Sequence, residues 1–436
     1  MSEITNVTPA VEDKPFSHRL KGFFINYSVT ILFVIIGIVG IWLSELPAYF
    51  LVSELLTRIT RNSFLVLALL IPVLAGMGLN FSITIGAMAG QMAIVLVSHW
   101  GVGGFPGFLL CVVISAPIAI LFGILTGRLL NKTRGQEMIA SMMAGFFANG
   151  VYQFIFLFAL GTIIPFYDER MTLSGGIGIR NTVDLSGEGG IKYALDGLVK
   201  WPFFYVLMAC CALGIVYFIL KLNKAKDKHI PKIALNKTYV NIALCTMGIA
   251  LSSWIMFSQN LPIQVKMMQN LKLPVITSLV VLGLCLFNVI IVRTKLGQDF
   301  RTVGQDQHIA QVSGIHVDKV RVIAVTISIL LAAWGQLIFL QNMSVLNTYG
   351  SHVQIGMFSI AALLVGGASV SRATVGQAIL GVILFHTLFI VSPKAGQNLF
   401  GDAQIGEFFR AFVAYGVIGV SLGLHAIRKA HEAKKG

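Results

Sequence analysis

The stretch RTKLGQDFRTVGQDQHIAQVSGIHVDKVR, Arg293 to Arg321, decides how this chain is read. It is the densest polar interruption in the apolar second half, preceded by an apolar run from Leu273 to Val292 and followed by another from Val322 to Leu340. It carries Arg293, Lys295, Arg301, Lys319 and Arg321 against Asp299, Asp306 and Asp318. A connection this rich in Lys and Arg between two membrane helices is expected on the cytoplasmic side. Inside it, Asp306 to Val312 has neither Gly nor Pro and then meets Gly314. That pattern predicts a short helix stopped by the glycine. Ile309 and Val312 are three apart, so they share one face of it. Pattern alone leaves two readings open: a solvated loop, or a handle by which a soluble partner grips a membrane body.

Working outward, the composition is that of an integral membrane protein. Of 436 residues, 56% are hydrophobic and 11% charged, far from soluble usage. The net charge of +14 is assigned to Lys and Arg in cytoplasmic loops and not to nucleic-acid binding. Residues 1–24 are polar and mixed in charge, without a cleavable signal pattern, and are expected to form a cytoplasmic tail. Cys111, Cys210, Cys211, Cys245 and Cys285 lie in apolar runs without metal-ligand spacing. They are read as small buried hydrophobes.

The expected fold class is all-α: a polytopic membrane helix bundle of about twelve transmembrane helices over 25–428, with both termini cytoplasmic and a short tail at 429–436. Tyr27 to Leu43 is the first span, and Glu45 to Asn62 reads as a short amphipathic link. Ser63 to Gly78 and Phe81 to Ser98 are two apolar segments meeting at Gly76, Gly78 and Asn80. Such a junction implies a broken or closely packed pair, because irregular backbone at depth must be satisfied by protein or a water-filled cavity. Asn80, Ser82 and Gln91 are therefore candidate pathway residues. Spans follow at Phe105–Leu125 and Met138–Leu160. Residues 161–200 form a Gly-rich segment expected outside, suited to receiving a binding protein or simply flexible. The run 221–238 is Lys-rich and expected inside. It is flanked by spans at Pro202–Leu220 and Tyr239–Phe257, and later spans are placed at Leu273–Val292, Val322–Leu340, Phe358–Ala368, Val375–Val391 and Ala411–Leu424. Segments assigned to the cytoplasm then hold Lys and Arg over the rest by more than two to one.

No Asp, Glu, Lys or Arg falls mid-span in this assignment. Ion-driven carriers often place a carboxylate there to bind the ion. The chain also lacks the G-x-x-x-x-G-K-[ST] phosphate loop, so energy is expected to come from a separate ATPase. The polar residues left inside are neutral: Asn80, Gln91, Asn149, Gln153, Gln336, Asn342 and His386. They suit a neutral polar solute such as a nucleoside or simple sugar. His386 reads as a packing residue, and His308 and His316 as solvated loop histidines. A membrane enzyme would need clustered nucleophile machinery, and none is seen. A carrier of about twelve spans that works without ATP remains the alternative.

The order Thr294, Gly297, Arg301, Gly304, Ala310, Gly314, Ile315, Val317 and then a basic residue resembles the cytoplasmic coupling loop in permease subunits of ABC importers. The branch is the one that takes up ribose-like sugars, nucleosides and branched-chain amino acids. GQEMIASMM from Gly135 resembles its nucleoside-associated members. The resemblance implies that 293–321 docks on an ATP-hydrolysing subunit through Arg301, Gly304, Gln305, Asp306, His308, Ile309, Ala310, Val312, Ser313 and Gly314. Pathway candidates are Asn80, Ser82, Gln91, Asn149, Gln336 and Asn342. It also implies a bacterial inner membrane location, two ATPase subunits that bind ATP and Mg, a second permease subunit, identical or paralogous, and an extracytoplasmic substrate-binding protein. No cofactor is expected in this chain. Relatives with this loop have about ten spans, so the Lys-rich run with its flanking helices looks like an added hairpin.

Overall fold

The structure is a computed structural model, and it describes residues 27–226, 232–258 and 261–433. The tail at 1–24, most of the turn in the Lys-rich run and the last three residues lie outside the described residues. The chain is a helical membrane bundle. Among the described residues, seven helices are long and apolar enough to cross a membrane, or eight if one bent pair counts as a span, and three shorter apolar helices accompany them.

Helix α1 (Ser28–Ser44) is followed by α2 (Ala48–Ala68) and, after a tight turn at Leu69, by α3 (Leu70–Leu74). The stretch expected to be a link is therefore part of one helical run, Ala48–Leu74. It keeps helical spacing because Leu51, Val52, Leu55, Leu56 and Ile59 continue the apolar pattern through its charges. Glu54 and Arg58 offset one another one turn apart, at 3.5 Å. This corrects the expectation that no charge lies within a span: Glu54, Arg58 and Arg61 all do.

The chain then breaks. Gly76 and Gly78 turn it with φ of +70° and +71°, a conformation costly for residues with a Cβ. Asn80 Oδ1 accepts the Ser82 backbone N–H at 3.1 Å and also its hydroxyl, and α4 (Ile83–His99) starts there. Gly76 is exposed, but from Met77 to Ser82 the break is enclosed, with Asn80 and Ser82 both buried, as irregular backbone at membrane depth requires.

Helix α5 (Gly104–Lys132) is followed by α6 (Glu137–Phe154), which ends in a π-helical turn, Ile155–Ala159. The Gly-rich segment beyond it is built, not loose: β1 (Thr182–Asp184) pairs antiparallel with β4 (Val345–Asn347). Strand β2 (Lys200–Pro202) pairs antiparallel with β3 (Lys272–Pro274). Between β2 and β3 stand α7 (Phe203–Lys226), α8 (Lys232–Phe257) and the short α9 (Ile263–Met268). Helices α7 and α8 pack mainly on each other, and little of either is buried. Cysteine faces glycine there: Cys245 lies opposite Gly214, and Cys211 opposite Gly248. Only Cys111 of the five is buried, and Cys210 is exposed. The reading of all five as buried hydrophobes is thus corrected: Cys210, Cys211 and Cys245 sit on α7 and α8, which have little else to pack against, and Cys285 is only half-buried.

Helix α10 (Val275–Ile291) bends by 70° into α11 (Lys295–Gln305). Then come α12 (Gln307–Val312), α13 (Val317–Leu340), α14 (Ser351–Val365), α15 (Val375–Phe400) and α16 (Ala403–Ala433). The span expected to close over Phe358–Ala368 is α14, which begins at Ser351 and ends at Val365. Helix α13 is the centre of the bundle, packed by α2, α4 and α5. Two glycine pairs at four-residue spacing allow this. A Cβ on Gly86 of α4 would lie 2.3 Å from the Ile329 carbonyl oxygen, and one on Gly123 of α5 2.6 Å from Thr326 Cα. Gly90 and Gly127 repeat each contact a turn on, the small-residue packing by which membrane helices approach closely.

Candidate functional site

The coupling stretch forms an arm. Thr294 caps α11 by accepting the Gly297 N–H at 3.2 Å, and Gly297, Phe300 and Val303 make its buried face. Asp306 leaves the helix in extended conformation and caps α12, accepting from His308 N at 2.7 Å and Ile309 N at 3.0 Å. Gly314, at φ +82°, ends the turn. Ala310 points inward and is fully buried, whereas Ile309 is 58% and Val312 77% exposed. Arg301, Gln305, His308 and Ser313 are also exposed, with the Ser313 hydroxyl donating to the Ile309 carbonyl at 2.8 Å. Two apolar side chains therefore face away from the protein on a capped, rigid helix.

The arm rests on the α3–α4 break. A Cβ on Gly304 would lie 2.4 Å from the Leu74 carbonyl oxygen, and one on Gly76 2.6 Å from Gly304 Cα. Backbone touches backbone at this point. The other end of the arm is locked by Arg321, which is fully buried. Its guanidinium donates to Glu137 Oε1 at 2.7 Å, Asn131 Oδ1 at 2.9 Å and the Leu130 carbonyl at 3.3 Å. Arg134 pairs with Asp318 beside it. Sequence reading had counted Arg321 as a loop charge; it is a buried pin between α13 and the α5–α6 connection.

The six pathway candidates fall in three places. Gln91, Asn149 and Gln336 gather around the start of α14. His352 Nδ1 lies 2.7 Å from Gln91 Oε1 and its Nε2 2.8 Å from Asn149 Oδ1. Gln336 Nε2 donates to Ser351 Oγ at 3.1 Å. Gln91 also donates to the Asn347 carbonyl at 3.4 Å, and which partner donates at each His352 nitrogen follows the ring's tautomer. The Tyr152 ring lies 4.9 Å from the His352 ring and stacks on Phe156 at 4.3 Å, next to the π-helical turn, a feature frequent at functional sites. Sequence reading missed His352 because it precedes the apolar run. Asn80 and Ser82 sit apart, in the break.

Asn342 is in the third place. Its Nδ2 donates to Asp196 Oδ2 at 2.6 Å and its Oδ1 accepts from Arg61 at 3.3 Å. Thr277 also donates to Asp196, and Arg61 lies over the Phe339 ring at 5.2 Å. His386 packs among aromatic rings, with Phe385 at 5.5 Å and Phe389 at 5.8 Å, but its buried Nδ1 has no hydrogen-bond partner among the described residues.

The built segment after α6 is pinned onto the end of α4. Arg170 donates to Asp168 from its backbone at 2.9 Å and from Nε at 3.1 Å and Nη2 at 3.0 Å. It also donates to the carbonyls of Glu188 at 2.8 Å and Ser98 at 3.3 Å. Burial alone would raise the Asp168 carboxyl, but these bonds and the Arg170 charge outweigh it and hold the group below its ordinary value. Arg170 is raised in turn, chiefly by its bond to Asp168.

A family model described as "Branched-chain amino acid transport system / permease component" matches residues 51–418. The chain belongs to this family. The match includes the arm, the break and the polar cluster, and it makes the chain an ABC-type permease component, a transporter subunit. Membership implies that the permease works with an ATPase and a substrate-binding protein. No curated protein and no solved structure matches the chain.

Proposed function

We propose that this permease forms the translocation pathway of an ATP-driven importer in a bacterial inner membrane, and that the arm 293–321 is where the ATPase pushes. The observation that carries this reading is the exposed pair Ile309 and Val312 on a capped helix whose neighbour, Gly304, bears directly on the broken span. Two such subunits, identical or paralogous, would enclose the path, with both termini cytoplasmic and 161–200 facing the binding protein. ATP and Mg belong to the ATPase. Closure of the ATPases moves the arm, and the break and α13 move with it to switch access.

The uncharged groups around His352 fit a small neutral polar solute, best a nucleoside or simple sugar. A branched-chain amino acid is the second reading, favoured by Arg61 and Asp196, opposite charges joined through Asn342 and able to face a zwitterion. A thermal-shift screen of the cognate binding protein against all three classes separates them.

The coupling claim is tested by copurification. Each covered aliphatic side chain contributes about 1.5–3 kcal/mol, so Ile309→Ser with Val312→Ser is expected to release the ATPase and stop uptake while leaving the thermal midpoint of the chain unchanged. Solute transport by vesicles holding this chain alone would favour the ATP-independent carrier and defeat the proposal.

A further inference from the structure

At the end of the bundle that carries the arm, a cleft of about 780 Å³ opens between α3, α10, α11 and the start of α15. Its size is within the roughly 300–1,000 Å³ of small-molecule sites. Its lining is apolar at Leu70, Ile71, Leu74, Val289, Ile291 and Val292, with Asn288 among them. The same lining holds Arg293 and Arg301, together with Gln298 and Thr374. Both arginines are exposed, and neither guanidinium has an ion pair or hydrogen bond to another described residue. Two free cations above a greasy wall match one chemistry: an anion attached to acyl chains.

We infer that this cleft binds an anionic phospholipid, with its phosphodiester on Arg293 and Arg301 and its chains along Val289, Ile291 and Val292. Guanidinium forks suit phosphate oxygens, and basic pockets between helices on this side of a membrane are suited to anionic head groups. A soluble phosphate or nucleotide would leave the apolar wall uncovered. The lipid would touch α3, α10, α11 and α15 together, tying the arm to the body it must move. The inference does not depend on the solute; because Arg301 also belongs to the arm proposed to meet the ATPase, the test uses the permease chain without that partner.

To test it, the full chain is placed in nanodiscs of phosphatidylcholine with a minority of phosphatidylglycerol, re-extracted in detergent, and its retained lipid measured by mass spectrometry. Phosphatidylglycerol is expected to be enriched over its bulk share and to resist excess inorganic phosphate. The double variant Arg293→Gln, Arg301→Gln should lose about thirtyfold, from roughly 1 kcal/mol per basic residue at an anionic surface. Gly376→Phe should lose the lipid too. It changes no charge, Gly376 lines the cleft, and a Cβ there meets nothing within 4 Å, so the added ring has room to fill it. Arg372→Gln, outside the cleft, should retain it. Equal retention of both lipids, or full retention by the double variant, overturns the inference. So does displacement by inorganic phosphate, which marks a soluble-anion site. Loss in the charge variant but not in Gly376→Phe shows diffuse attraction and overturns it as well.

Discussion

Adding one methyl group at Gly304 tests whether the arm and the broken span move as one. On helical propensity alone, Gly304→Ala in α11 should stabilise the protein by up to about 1 kcal/mol. The structure opposes that gain. The new Cβ would sit 2.4 Å from the Leu74 carbonyl oxygen and 2.9 Å from the Gly76 nitrogen. Both atoms are backbone, so no side chain can swing aside. Overpacking of this kind costs about 1–3 kcal/mol, and a rigid neighbour puts it near the upper end. The net loss is then about 1–2 kcal/mol, which lowers the docked-to-undocked ratio of the arm roughly 5–30-fold. Solute uptake by cells should fall over that range, and the purified chain should melt earlier. Gly283→Ala is the control, because nothing lies within 4 Å of its Cβ; it should transport normally. If Gly304→Ala transports at the parental rate and melts no earlier, the backbone contact is not the linkage.

Three further outcomes follow from the site. His352→Ala should abolish uptake and destabilise by about 1–3 kcal/mol, because Gln91 and Asn149 lose a buried partner; His352→Gln should restore part of both, checked by uptake and melting. Arg321→Met should cost at least about 3 kcal/mol in denaturation, because Glu137 loses its partner in a low-dielectric site. The Asp168–Arg170 lock should show in acid. Its folded carboxyl lies below the ordinary value of about 3.9, so its stabilisation is complete above that pH and is lost as pH falls below it. Asp168→Asn should therefore lower the melting temperature at neutral pH and flatten its fall on acidification.

The sequence made the local features legible. Apolar runs gave the helices, the Asp306 and Gly314 pair bracketed α12, and Gly76, Gly78 and Asn80 marked the break, because caps and turns depend on residues a few positions apart. Features that needed distant partners were hidden. Arg58 and Arg61 looked like loop charges until α2 carried them into a span. Arg321 looked solvated until Glu137 and Asn131, from another helix pair, closed around it. His352 stood outside its apolar run, and nothing near it in sequence announced Gln91 or Asn149. Of the neutral polar residues, Gln91, Asn149 and Gln336 lie together near the start of α14, whereas Asn80 and Asn342 serve other corners of the bundle.

The two-stranded ladder β2–β3 has a consequence for how this chain was assembled. Its last pair, Pro202 opposite Lys272, brings the two ends of everything in between side by side. A module whose entrance and exit coincide can be spliced into a host without moving the host. Helices α7 and α8 pack mainly on each other while α9 touches α2, so replacing the stretch between the two strands with a tight turn should keep this doorway shut and cost the body only the α9–α2 contact.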